Sequence, residues 1–271
     1  MKISNVMVSL DGGAAAADRV QLSARLAERF DATLTGVAAR QVPALIAVSD
    51  VRESERLYEI EDRQAREELA EARAVFLREA ERGIRTAWRA ALAEPTAYLV
   101  AQARAADVVV AGRHGPADGE PGLMGVSAGA LLMEVGRPVL VVPPGIERLT
   151  AKRIVVAWKD TRESRRAVQD ALPFLSRAEA VHVVVVGPGA HEEGAEDVAA
   201  YLSGHGATVT THLLPNPGAE PAEAFLQFAR REGADLIVMG AYGHSRLREW
   251  ILGGATRDIL QATALCCLMS H

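Results

Sequence analysis

A ten-residue pattern occurs twice in this chain. Ala106-Asp107-Val108-Val109-Val110-Ala111-Gly112-Arg113-His114-Gly115 returns as Ala234-Asp235-Leu236-Ile237-Val238-Met239-Gly240-Ala241-Tyr242-Gly243, every position shifted by 128. The same shift carries Gly125 onto Gly253, so the pattern Gly-x2-Gly-x9-Gly occurs once in each half. Self-similarity at a fixed offset marks a duplicated structural unit. It divides 271 residues into two copies of one fold, each of ordinary domain size.

The flanks extend the duplication. Residues 3–11 and 153–159 both read as buried strands that end in a charged residue, Asp11 in one and Lys159 in the other. Residues 138–142 and 265–269 are short apolar strands that close the two halves. Pro143-Pro144-Gly145 interrupts the chain between them, because proline cannot donate to a sheet ladder. The expected domains are 1–148 and 149–271. Within the first, a helix at 18–30, a strand at 33–39 and a helix at 95–105 alternate; the second has matching segments at 161–175, 180–186 and 221–232. Such alternation implies parallel strands with helical crossovers on both faces. The predicted class is α/β, with a doubly wound, five-stranded parallel sheet in each half.

The halves differ in one place. Asp11 and Lys159 are 148 apart, against 128 for the later landmarks, so the first half carries 20 extra residues before Asp107. Residues 50–82, rich in Glu, Arg and Ala, hold the potential i,i+4 pairs Glu59–Arg63 and Asp62–Arg66 and read as one long, largely solvated helix. A partner-binding arm or a lid beside the site is the functional alternative.

A net charge of -5 argues against a nucleic-acid binder, which needs a basic face to displace counterions. The two cysteines, Cys266 and Cys267, are adjacent and offer neither a disulfide framework nor a zinc site. On a strand they face opposite sides of the sheet, and a redox role would require exposure and a lowered pKa. No apolar run approaches the roughly 20 residues that span a bilayer. The apolar start reaches Asp11-Gly12-Gly13 too early for a signal segment. These features predict a cytoplasmic protein with no membrane partner.

In a doubly wound sheet, ligands sit beyond the carboxyl ends of the strands where strand order reverses, here between the first and fourth strands of each half. Lys159, following Ala157 and Trp158, is thereby placed beside Gly240 and Gly243. Gly253 and Gly254 precede a helix at 255–262, whose free N–H groups suit an anion such as a phosphate chain. Thr256 adds a hydroxyl in the first turn, and Arg246, Arg248 or Lys159 supply positive charge. Glycines after a strand also serve as plain turn residues, and Arg246 and Arg248 also fit a solvated loop. Trp158 has two readings, stacking on a base or packing against a crossover helix, and Trp250 shares the ambiguity.

Three features together, the Gly-x2-Gly-x9-Gly loop, the opening apolar strand with its terminal acid and the closing Val139-Leu140-Val141-Val142-Pro143 strand, resemble the universal stress protein family, and the resemblance covers both halves. It implies a flavodoxin-like fold, dimer contacts through the last strand and, in many members, ATP binding with Mg. Carried onto this sequence, it implies that Gly240, Gly243, Gly253 and Thr256 hold phosphates. The Ser or Thr that usually follows the third glycine is here Gly254, and the strand-tip acid is replaced by Lys159, with Asp160 one step on. The first half keeps Asp11, Gly112, Gly115 and Gly125, but Val126 follows the third glycine and Pro116, Asp118, Glu120 and Pro121 crowd the loop. Its acids repel phosphate, so it is expected to bind nucleotide poorly.

No Gly-x4-Gly-Lys-Ser/Thr, His-Glu-x2-His, Cys-x2-Cys or Gly-x-Ser-x-Gly sequence occurs. His114 and His244 follow loop glycines with no identifiable partner base or nucleophile, so no catalytic residue is assigned. Two functions stand side by side. One is an adenine-nucleotide-binding stress protein, at most a slow ATPase, whose loop state is read by protein partners. The other is a nucleotide-free scaffold for dimerisation and docking. The two halves are expected to pair last strand to last strand as an intrachain pseudo-dimer, with self-association of whole chains following.

Overall fold

The computed structural model describes residues 2–43, 51–80, 83–115, 122–215, 218–243 and 254–271. The first half runs β1 (Asn5–Ser9), α1 (Ala16–Phe30), β2 (Thr33–Ala39), α2 (Val51–Glu79), β3 (Arg85–Ala91), α3 (Pro95–Gln102), β4 (Val108–Gly112), α4 (Ala128–Glu134) and β5 (Val139–Val142). The second repeats it as β6 (Arg153–Ala157), α5 (Arg162–Leu175), β7 (Ala180–Val186), α6 (Ala195–Gly204), β8 (Val209–Leu214), α7 (Pro221–Arg231), β9 (Leu236–Gly240), α8 (Ala255–Ala262) and β10 (Cys266–Ser270).

The ten strands form one sheet in the order β3-β2-β1-β4-β5-β10-β9-β6-β7-β8. All pairs within a half are parallel, and the halves meet at the antiparallel pair β5–β10, with Leu268 opposite Leu140. The central strands are covered on both faces, which is why they read as unbroken apolar runs: Val6, Met7 and Val8 are wholly buried. One core layer, under α1, α2 and α5, contains Val8, Phe30, Phe76 and Phe174; the other, under α3, α4, α7 and α8, contains Met7, Leu131, Phe228 and Ile259. Both layers run across the seam. Phe30 and Phe174 meet edge to face with centroids 5.2 Å apart, joining α1 to α5.

The repeated Asp of the duplicated stretch has a structural role. Asp107 Oδ2 accepts the N–H groups of Ser4 and Asn5 at the entry to β1. Asp235 Oδ2 does the same at the entry to β6, taking the N–H groups of Thr150 and Ala151 and the Thr150 hydroxyl. The linker is thereby fixed from both sides, since Gly145 N–H donates to Asp18 and the Arg25 and Arg29 guanidinium groups donate to the carbonyls of Glu147 and Thr150. The extra residues of the first half are α2, as the charge pattern implies. Its Ala72 and Phe76 join the core layer on the sheet, Ala65 is also buried, and buried Arg40 clasps Glu61 and Glu68 at 3.1 Å.

Candidate functional site

In the second half, β6 delivers Trp158 and Lys159 to the carboxyl edge of the sheet, next to the end of β9, where the strand order reverses. Thr161 caps α5 by accepting the Ser164 N–H at 3.2 Å. Gly240 lies against that first turn: a Cβ here would stand 2.5 Å from the Ser164 nitrogen and 2.7 Å from the Glu163 carbonyl carbon. Only glycine permits so close an approach of strand to helix. Gly243 faces the same turn, with Glu163 Oε2 3.2 Å from its missing Cβ. Burial works to raise the Glu163 carboxyl; its bonds to Arg162, its own N–H and Thr161 outweigh it and hold the group below the usual range.

Gly254 is the N-cap of α8 and, being glycine, has no side chain with which to cap that helix. Thr256, buried in the first turn, accepts the Tyr242 N–H at 3.2 Å, so the shown role of its hydroxyl is to hold the glycine loop to the helix. Between these elements lies a cavity of about 840 Å³, to which Ala157, Trp158, Lys159, Gly240, Gly243, Gly254 and Thr256 all contribute. Its other walls are apolar, from Val185, Pro221, Phe225 and Met239, while Glu193, Glu220 and Asp258 add carboxylates. Trp158 is 4% exposed, and its indole N–H donates to the Glu193 carbonyl at 2.6 Å. It thus packs in the core while lining the cavity, and it pins the segment after β7.

The first half brings its candidates together around its own side chains. Asp11 pairs with Arg19 at 2.9 Å, accepts the Gly13 N–H and stands 3.6 Å from His114. Burial raises the Asp11 carboxyl, but the Arg19 guanidinium, with His114 and the Gly13 N–H, more than offsets it and keeps the group ionised. Arg19 is itself 2% exposed, and its Nη1 lies 2.6 Å from the missing Cβ of Gly112. A cation of the chain thus fills the space beside the first loop glycine. Met124 closes over Gly12, Gln41 N–H bonds the Leu123 carbonyl, and Gly125 N–H turns back to the Gly122 carbonyl. Ser127 caps α4 through the Ala130 N–H. A separate cavity of about 490 Å³ lies beneath α2, lined by Gly12, Gly13, Arg40 and Glu68 but by none of Gly112, Gly115 and Gly125.

Gly253, His244, Arg246, Arg248 and Trp250, with the first-half Pro116, Asp118, Glu120 and Pro121, lie outside the described residues. Both cysteines are buried, one in each core layer. Burial pushes the Cys267 thiol up to about 12 and the Cys266 thiol further, so neither has the lowered pKa of a reactive thiol. Among the described residues, no cluster of three or more His, Cys, Asp or Glu side chains is arranged to hold a metal ion, and no helix is long and apolar enough to cross a membrane. Sequence reasoning missed Arg19. Its signal was position, since Arg19 falls on the buried face of α1 with Ala16, Val20 and Ser23.

Comparison with known proteins agrees with this architecture. A family model described as the universal stress protein family matches residues 2–143 and 187–269. Universal stress protein Slr1230 of Synechocystis is 26% identical over 172 residues, which is 59% of this chain; the match spans 56% of that relative, little more than half its length. A universal stress protein from Archaeoglobus fulgidus superposes with a TM-score of 0.74 at 14% identity, covering 99% of this chain and 96% of its own. A putative universal stress protein from Pseudomonas aeruginosa gives 0.57 at 15% identity, with 99% and 93% covered. These two likenesses concern the fold. The family match takes in most of the chain and both repeats, so the protein belongs to the universal stress protein family, with two copies of its domain in tandem.

Proposed function

We propose that the second half binds ATP or a related adenine nucleotide, accompanied by Mg, and that occupancy sets the state of the Gly240–Gly243 loop seen by protein partners. The observation that carries this reading is the start of α8, with Gly254 where a capping side chain would stand, facing a cavity of about 840 Å³. That volume falls in the range of about 300–1,000 Å³ typical of small-molecule sites. Phosphates would lie at the helix N-terminus, where free N–H groups and the positive dipole end favour an anion. The apolar wall of Val185, Phe225 and Met239 suits a base. Binding to one loop state shifts the population toward it, which links the ligand to a surface without any chemical step.

A ligand-free docking scaffold is the competing reading, and the cavity's charges favour it: Lys159 stands among Glu193, Glu220 and Asp258. A polyphosphate brought in with its own divalent cation reduces that conflict. Calorimetry on protein stripped of carried-over ligand decides between them. Saturable binding of Mg-ATP, one per chain, is expected; no heat at millimolar nucleotide would leave the scaffold. Self-association of whole chains belongs to the same proposal, and light scattering that found monomer alone would confine pairing to the two halves.

A further inference from the structure

The residues just after β9, and the helix α8, are not held by the second half alone. Tyr242, between the two glycines, has φ +56, the left-handed region that a bulky residue occupies only when its surroundings fix it there. Its N–H is tied to Thr256 in the first turn of α8. Its side chain reaches the first half, where α4 carries Gly129: a Cβ at that position would stand 2.8 Å from the Tyr242 hydroxyl oxygen. At the far end of α8, the Arg113 guanidinium of the first half donates to the Gln261 carbonyl at 2.8 Å. The two helices α4 and α8 also pack against each other. None of Gly129, Arg113, Tyr242 and Gln261 lines the cavity.

The matching residues of the other copy make no such contacts in the described structure. The residue matching Tyr242 in the first copy is His114, which turns to Asp11 of its own half. The residue matching Arg113 is Ala241, which has no side chain to reach across. We propose that the first half is a brace for the ligand site of the second, with Tyr242 and Arg113 as positioning residues that fix residues 241–243 and α8 relative to the cavity. A ligand that uses the N–H groups of α8 needs that helix end held in place before it arrives, since ordering it on binding costs affinity. The inference rests on the nucleotide reading for its function, but the brace itself can be tested without nucleotide.

The test is a double-mutant cycle between Gly129→Leu and Tyr242→Ala, with the exposed Glu134→Gln on α4 as control, read first as Mg-ATP affinity. Each of the two variants is expected to weaken binding roughly tenfold, the pair no more than Tyr242→Ala alone, and the control not at all. Additive losses, or unchanged affinity in Gly129→Leu, would overturn the brace. Should the parent protein bind no nucleotide, the nucleotide reading falls, and the same cycle is read as amide exchange over Ala255–Ala262. Faster exchange there in Gly129→Leu, with β9 and β10 still protected, supports the brace, and unchanged exchange refutes it. Arg113→Gln, which leaves Gly129 and Tyr242 in place, gives an independent arm with the same expected direction should Gly129→Leu not fold.

Discussion

The two halves share a strand order and a glycine spacing, yet the cavity of the second reaches its loop glycines and that of the first does not. In the first, Arg19 stands beside Gly112, Ser127 caps the helix after the loop, and Met124 covers Gly12. In the second, the first turn of α5 stands beside Gly240, the N-cap of the helix after the loop is a glycine, and the cavity reaches Gly240, Gly243 and Gly254. What the difference teaches is that matched glycines do not make matched surroundings: the space beside them is set by the side chains and helix turns packed there.

The comparison is most easily broken at Arg19. Arg19→Met leaves Asp11 buried without its cation, and loss of one partner from a buried pair costs about 3–5 kcal/mol. Urea denaturation should show that loss; a change below about 1 kcal/mol would mean the pair is an incidental filling rather than a plug. A smaller effect contrasts the two matched glycines. Gly240→Ala drives a methyl into the backbone of α5 and should cost about 1–3 kcal/mol and abolish ligand affinity. Gly112→Ala meets only the end of the Arg19 side chain and should cost less. Equal losses would erase the distinction between the loops.

The smallest effect is a difference in acid response. His182 and His212 bond ring to ring at 3.1 Å between β7 and β8, against Phe228, while Thr35 holds the matching place on β2. Burial, and for His182 its partner ring, pushes both imidazoles below their ordinary range; Glu232 opposes, and Arg153 and Arg231 assist at His182 and His212 respectively. The unfolded chain therefore binds protons first as pH falls below about 6.5, so stability is full above that value and declines beneath it. Denaturation midpoints at about pH 7.5 and 5.5 should differ in the parent and differ less in His212→Gln. A variant that keeps the full slope would place the acid response elsewhere.

Much of the fold was legible because the strands at the centre of each half are buried on both sides. Val108-Val109-Val110 and Leu236-Ile237-Val238 have no solvent face to encode, so their apolar runs stand out. The edge strands β3 and β8 left no such signal, because Arg85, Arg89 and Thr210 face water and interrupt the pattern. The glycine spacing located Gly240, but only coordinates show that the first turn of α5 presses on it. An arginine on a helix ordinarily reads as a solvated face, which is why the Arg19 plug stayed hidden behind the acids of its loop. The bond that the Thr256 hydroxyl accepts from the Tyr242 N–H was not legible, because sequence cannot tell which oxygen a neighbouring N–H will claim.

The seam between β5 and β10 has one more implication. Val139–Val142 and Cys266–Ser270 are buried strands in the middle of the sheet, and either half made alone would present one of them as a raw, apolar edge. Tethering the halves makes that pairing a unimolecular event, so its completeness does not vary with how much protein a cell holds. Dilution, which separates ordinary subunits, cannot separate these.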